Sequence, residues 1–386
     1  MHHVLAGARG RDRRRRAGPA PDTERRVSFR NSYSWLDRCL HRLAFSTRSA
    51  QLGVADLENR RFRGELASTS AARPIFVTGL PRSGTTILLE LISRTPSVAT
   101  HIYRDMPFVL TPMVWGGFAR RFAKADKPRE RAHGDGIQIS LDSPEAFEEM
   151  VWMAFYGDRY RGDTISPWTA VGDQEFLQFL SDHMRKVIAL RRRDKPTASR
   201  YASKNNLNIA RVPALLDAFG DAVALVPFRD PVQHAASLLK QHQRFTAMHR
   251  DDPFARRYMR GIGHFDFGDN LKPVDFGGWW SSRASSDPSK LAFWLEYWCV
   301  TYATLLEHAD HDRMHLVGFE QLGAASGLAA LAHAAGIEGA DLAEQANILA
   351  PATSREVDIA HTPADLVERA NGINARLRAR CVLTDG

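Results

Sequence analysis

Cysteine is scarce: Cys39, Cys299 and Cys381 are the only three, far apart and in neither a CxxC nor a metal-ligand spacing. An odd, scattered set builds no disulfide framework and no zinc site; it suits a reducing cytoplasm, with the thiols read as small buried hydrophobes. Long apolar runs are missing as well. With no stretch of about 18 apolar residues, a membrane-spanning helix is not expected. The N-terminal arginines lack the apolar stretch that a twin-arginine export signal needs, since "AGPAPDTERRVSF" follows them. The sequence also has no internal repeat.

What is present describes a soluble globular protein: 386 residues, 44% hydrophobic and 25% charged. The net charge of +8 suits an anionic ligand, nucleic acid or an acidic membrane surface. Much of the excess is local, in "RGRDRRRRAGPAPDTERR", Arg9 to Arg26, which has no apolar periodicity to order it. Residues 1–30 read as a basic mobile arm. Residues 31–70 read as a helical segment packing on the core, with Trp35, Leu36, Cys39, Leu40 and Leu43 at helical spacing.

Residues 71–386 read as a single α/β domain. "RPIFVTG" is a near-continuous apolar run ending in glycine, the pattern of a strand covered on both faces. A helix from about Thr85 to Ser93 follows, then a short strand over Val98–Asp105. Residues 107–197 read as a mostly helical insertion, one helix opening with Ser143 as N-cap and Pro144 in its first turn. "RYASKNNLNIARVPALLDAFG" reads as a strand, a polar turn and a helix ended by Gly220, and further strands are expected in "AVALVPF" (Ala222–Phe228) and in "MHLVGFEQL", the last leading into a turn. Helices follow them from Val232, in "LAFWLEYWCVTYATLLEHA" and over Ala325–Arg380, with long loops or a lid across Thr246–Asp287. Strands alternating with helices imply a P-loop-like three-layer sandwich around a mostly parallel sheet.

The chemistry concentrates in "PIFVTGLPRSGTTILLELI". Gly79 and Gly84 are spaced like the first glycines of a Walker A loop, but Thr85 stands where its lysine would be. Strand, loop and helix together still make an anion cradle, because the N–H groups of a helix's first turn lack partners and its dipole favours negative charge. Arg82 adds a fixed fork of donors, and Thr85 and Thr86 add hydroxyls. A second element lies in "LVPFRDPVQHAAS", where a strand ends at Arg229, Asp230 caps a helix, Pro231 opens it and Ser237 sits in its second turn. If the two strands are neighbours, Arg229 and Ser237 join the cradle at the carboxyl edge of the sheet. Taken singly, each element also reads as an ordinary capped turn.

Together these residues resemble the sulfotransferase superfamily that uses 3′-phosphoadenosine 5′-phosphosulfate (PAPS), in the branch whose loop reads PRSGTT. "PIFVTGLPRSGTT" is similar to its 5′-phosphosulfate loop, "VPFRDPVQHAAS" to its 3′-phosphate element and "GFEQL" to a late strand-to-turn segment. The resemblance spans roughly Arg73 to Leu322. It implies that Ser83, Gly84, Thr85 and Thr86 hold the 5′-phosphosulfate, that Arg229 and Ser237 bind the 3′-phosphate, and that no metal is needed. Arg82 is then the cation placed at charge building on the leaving group. Lys204 in "SKNN" is similar to a lysine that contacts the transferring sulfonate, and Ser354 to a late transition-state serine. The general base is expected to be Asp105, with His101, Glu145 and Glu149 as alternatives. His234, His242 and His249 read as surface or core-edge residues rather than metal ligands. The acceptor is a hydroxyl on a carbohydrate, lipid or other alcohol; peripheral membrane contact stays open, and nucleic acid is not expected. Two other readings are a P-loop kinase or NTPase, and a non-catalytic binder of polyanions through the basic arm.

Overall fold

The apolar runs of the sequence become the inner strands of one parallel sheet. The computed structural model describes residues 48–121, 129–130, 138–139, 142–282, 287–349 and 356–382. The arm at 1–30, the Trp35–Leu43 helix, Cys39 and Ser354 lie outside the described residues.

The first half of the chain runs α1 (Arg48–Arg61), α2 (Arg63–Ala67), β1 (Ile75–Val77), α3 (Thr85–Ser93), β2 (Val98–Ala99), α4 (Pro112–Arg121), α5 (Glu149–Tyr156), α6 (Gln174–Arg191) and β3 (Arg200–Lys204). The second half runs α7 (Val212–Ala218), β4 (Val223–Phe228), α8 (Pro231–Asp251), α9 (Pro253–Gly261), α10 (Leu291–Glu307), β5 (Met314–Gly318), α11 (Ala325–Ala335), α12 (Gly339–Ala343) and α13 (Ala364–Ala379). The sheet order is β2-β3-β1-β4-β5, with every pairing parallel. All residues of β1 and β4 are buried, as covering on both faces requires. In register, Val77 of β1 lies between Lys204 of β3 and Leu225 of β4. The loops after β1, β3 and β4 therefore leave the sheet side by side at its carboxyl edge, where open α/β sheets bind ligands.

Several boundaries differ from the sequence reading. The strand at Val98 stops at Ala99, because Asp105 accepts the N–H of Ile102 at 3.0 Å and folds Tyr103–Asp105 into a 3-10 turn. Ser143 and Pro144 do not open a helix. Ser143 O accepts the N–H of Tyr103 at 3.1 Å, Glu145 N donates to His101 O at 3.0 Å, and Pro144 bridges Ile102. This pairing consumes the backbone that a helix start would need, and α5 begins only at Glu149. The insertion at 107–197 holds α4, α5 and α6 but also loops and a short antiparallel pair, Arg129–Glu130 with Gln138–Ile139. The expected loop at Thr246–Asp287 is partly helical: α8 runs to Asp251, and Asp252 caps α9 by accepting from Phe254 N and Ala255 N. Cys299 and Cys381 are buried thiols, not joined in a disulfide.

Candidate functional site

The loop after β1 is held from below. Thr78 N donates to Leu225 O of β4 at 3.0 Å, and a Cβ on Gly79 would lie 3.1 Å from both Pro227 O and Ser83 Oγ. Arg82 and Gly84 both take left-handed backbone, with φ of 71° and 107°. Such residues curl a turn so that successive N–H groups face one concavity. Gly84 is the N-cap of α3, and the first backbone bond across the cap is Leu88 N to Gly84 O at 3.0 Å. The N–H groups of Thr85, Thr86 and Ile87 precede it at the positive end of the helix.

Not every predicted donor faces that concavity. Ser83 is fully buried, its Oγ lies beneath the loop against Gly79, and its N–H donates to Leu80 O at 3.2 Å. With its hydroxyl buried and its N–H engaged inside the loop, Ser83 is better placed to shape the loop than to present the hydroxyl expected of it. Thr85 is also buried, and its hydroxyl donates to Asn206 Oδ1 at 3.3 Å. Thr86 is half-buried at the mouth of the loop.

The second element meets the first. Asp230 accepts the N–H of Gln233 at 2.9 Å and Pro231 opens α8, which sets Ser237 within reach of the loop. Arg82 Nε donates to Ser237 Oγ at 3.3 Å across 155 residues of sequence. Between Arg229 and Ser237, the buried His234 donates from Nε2 to Pro81 O at 2.7 Å. Burial holds its pKa down to about 3, so the ring is neutral and serves as a strut under the loop. The Arg229 guanidinium sits over the Phe319 ring at 5.9 Å, and its Nε is buried with no hydrogen-bond partner. Gly84 packs on the same ring: a Cβ there would lie 2.2 Å from Phe319 Cδ2. Phe319 of "GFEQL" is thus the floor shared by both elements, and Glu320 ties it to β4 by accepting the N–H of Asp230 at 2.9 Å.

On the other side of the loop, Lys204 ends β3 level with the end of β1. The candidate bases fare differently. Asp105 is 2% exposed, paired to Arg191 and hydrogen-bonded to His101 at 3.0 Å. Burial by itself would raise its pKa, but the Arg191 charge and the His101 bond outweigh that and hold it down to about 2. A carboxylate so engaged has little basicity and no open face, which argues against Asp105 as the general base expected from the sequence. His101 is buried between Asp105 and His183, whose Nε2 lies 2.8 Å from its own. Glu149 is buried in an ion pair with Arg211 and accepts from Asn205 at 2.6 Å. Glu145 alone of the four is half-buried; it accepts the N–H of Ala146 at 2.8 Å and lies within electrostatic reach of His264, as does Lys204.

His242 and His249 prove to be backbone anchors. Their Nδ1 atoms accept the N–H groups of Gly268 and Asp269 at 3.2 and 3.1 Å, pinning the loop after α9. Among the described residues, no group of three or more His, Cys, Asp or Glu could hold a metal ion, and no helix is long and apolar enough to cross a membrane. The sequence reading missed Phe319, Asn206 and His234 as parts of the site. For Phe319 the signal was present in "GFEQL"; a packing role for His234 has no sequence signature.

A parallel sheet whose central strand ends in a glycine-bounded loop, with an arginine-bearing neighbour strand, defines a P-loop-like α/β fold. The Sulfotransferase family model matches residues 74–266, and the chain belongs to that family of PAPS-dependent transferases. Among solved structures it is similar to sulfotransferase STF1 from Mycobacterium tuberculosis H37Rv, at 14% identity over 82% of this chain and 81% of that one, with a TM-score of 0.44. Sulfotransferase STF9 from Mycobacterium avium matches at 15% identity over 82% and 79%, TM-score 0.42. A sulfotransferase from Alicyclobacillus acidocaldarius matches at 18% identity over 80% and 94%, TM-score 0.34. No curated protein matches the sequence at a significant level.

Proposed function

We propose that this protein transfers a sulfonate group from PAPS to the hydroxyl of a carbohydrate, lipid or other alcohol. The observation that carries the reading is the Arg82–Ser237 contact, which brings the two candidate anion-binding elements within hydrogen-bond distance of each other, as a ligand with phosphate at both ends would need. The residues fit that ligand. The left-handed turn at Arg82 and Gly84 and the first turn of α3 suit the 5′ end. Arg229, with a buried and unpartnered Nε, and Ser237 suit the 3′-phosphate, since an orphaned buried donor is stabilised by gaining an acceptor.

The bound donor supplies an activated sulfonate; the chain does the rest. Arg82 sets a cation where negative charge builds on the leaving group, and Lys204 neutralises the sulfonate from the β3 side. No part of this calls for magnesium. A nucleoside triphosphate reading lacks the loop lysine, and the carboxylate after β4, Asp230, is spent on capping α8. The test is incubation with labelled PAPS and a panel of sugar, lipid and phenolic alcohols, followed by mass detection of product. Transfer to a hydroxyl without added metal is expected. Magnesium-dependent ATP turnover with no sulfated product overturns the reading.

A further inference from the structure

The segment between α9 and α10 brings a histidine and a carboxylate to the site. Gly263 and Gly268 bracket it in left-handed backbone, with φ of 82° and 64°. A Cβ on Gly263 would lie 2.5 Å from Glu149 Cγ, and one on Gly268 would lie 2.6 Å from His249 Nδ1, so both turns need glycine. Between them the side chains alternate. Phe265 and Phe267 are buried at 2% and 0% exposure, while the side chains of His264 and Asp266 keep 15% and 12%. His264 stacks on Phe245 of α8 with ring centroids 5.0 Å apart and planes at 1°, and its Nε2 lies 3.7 Å from Asp266 Oδ2. Asp266 Oδ2 in turn accepts from Asn206 Nδ2 at 3.3 Å, and Asn206 Oδ1 accepts the Thr85 hydroxyl at 3.3 Å. One chain of contacts thus ties the pair to the first residue of α3, beside the loop that holds the donor.

We infer that His264 is the general base that takes the acceptor's proton, with Asp266 as the carboxylate that steadies the imidazolium. The inference rests on the sulfotransfer reading above. In the step, the acceptor O–H bond breaks, its proton goes to His264 Nε2 and the oxygen electron pair forms the new bond to sulfur. The bridging S–O bond to the donor's phosphate breaks, and its electron pair leaves with adenosine 3′,5′-bisphosphate. Asp105, His101 and Glu149 are locked in buried pairs, whereas His264 and Glu145 keep partly exposed side chains near Lys204. An imidazole serves as a base at neutral pH better than an ordinary carboxylate. The charged and titratable groups whose fields reach His264 are Asp266 on its own segment, Lys204 from β3, Glu145 from the stretch before α5, and His249 from α8. Burial lowers the His264 pKa, Asp266 and Glu145 raise it and Lys204 lowers it, so the base stays neutral and ready.

The test compares wild type, His264→Gln, His264→Ala and Asp266→Asn by kcat/KM across pH and by stabilisation with adenosine 3′,5′-bisphosphate. Wild-type rate should fall on the acid side as the base protonates. His264→Gln should lose about a hundredfold or more and its acid limb, yet keep bisphosphate binding. Added imidazole should restore part of the rate to His264→Ala. Asp266→Asn should move the acid limb to lower pH, because a carboxylate that favours the imidazolium is gone. A His264→Gln enzyme within threefold of wild type with its acid limb intact overturns the assignment. So does an unmoved limb in Asp266→Asn, should the His264 variants not fold. Wild type that neither binds the bisphosphate nor turns over overturns the sulfotransfer reading instead.

Discussion

Replacing Gly84 by alanine tests the geometry of the loop at its tightest point. Gly84 has φ of 107°, and left-handed backbone costs a residue with a Cβ about 1–2 kcal/mol. The new Cβ would also lie 2.2 and 2.6 Å from Phe319 Cδ2 and Cε2, so the ring must move, a form of overpacking that costs about 1–3 kcal/mol. The sum, about 2–5 kcal/mol, is a large share of the ~5–15 kcal/mol that holds a domain folded. Urea denaturation without nucleotide measures it, read as a lower midpoint at constant slope. The two contributions separate in a double-mutant cycle with Phe319→Ala. Without the ring, Gly84→Ala should cost only its conformational part, leaving a coupling of about 1–3 kcal/mol. Equal costs in both backgrounds would refute the packing of Gly84 on Phe319. The displaced ring also underlies Arg229, so Gly84→Ala should weaken bisphosphate binding in the Phe319 background.

Other outcomes follow from the same contacts. Asp105→Asn leaves Arg191 without its buried carboxylate and should destabilise the fold by about 3–5 kcal/mol in urea; a variant of normal stability with no turnover would return Asp105 to the chemistry. His234 is neutral when folded, with a pKa of about 3 against ~6.5 unfolded, so the unfolded chain binds the extra proton first. Stability should be complete above pH ~6.5 and fall below it by up to ~1.4 kcal/mol per pH unit, levelling near the folded value; a His234→Asn protein with the same pH slope would contradict this. His249, with a pKa lowered by burial to about 4, adds in the same direction. Arg229→Ala should erase the preference for adenosine 3′,5′-bisphosphate over AMP in a titration, and an unchanged ratio would remove Arg229 from the site.

The sheet was legible because its inner strands are continuous apolar runs, and the "RDP" after β4 is a local capping signal that the Asp230–Gln233 bond matches. The strand expected over Val98–Asp105 is present only at Val98–Ala99, because the carboxylate that bends the chain into a turn sits at the far end of the run. Ser143–Pro144 carries every local mark of a helix start; what overrides it is pairing with residues 101–103, some forty positions earlier, which no local pattern encodes. The anion loop could be found from glycine spacing, but not the inward aim of the Ser83 hydroxyl. Asp105 looked like a base because its place in the sequence suited one. Its engagement by Arg191 and His101 depends on α6 lying against it, a tertiary fact.

The most direct measurement of the central claim is a thermal melt with adenosine 3′,5′-bisphosphate beside one with magnesium and ATP. A single concavity built from both elements predicts stabilisation by the bisphosphate of about 2.7 kcal/mol at a hundredfold over its dissociation constant, with little from magnesium and ATP. A shift from magnesium and ATP with none from the bisphosphate would contradict it.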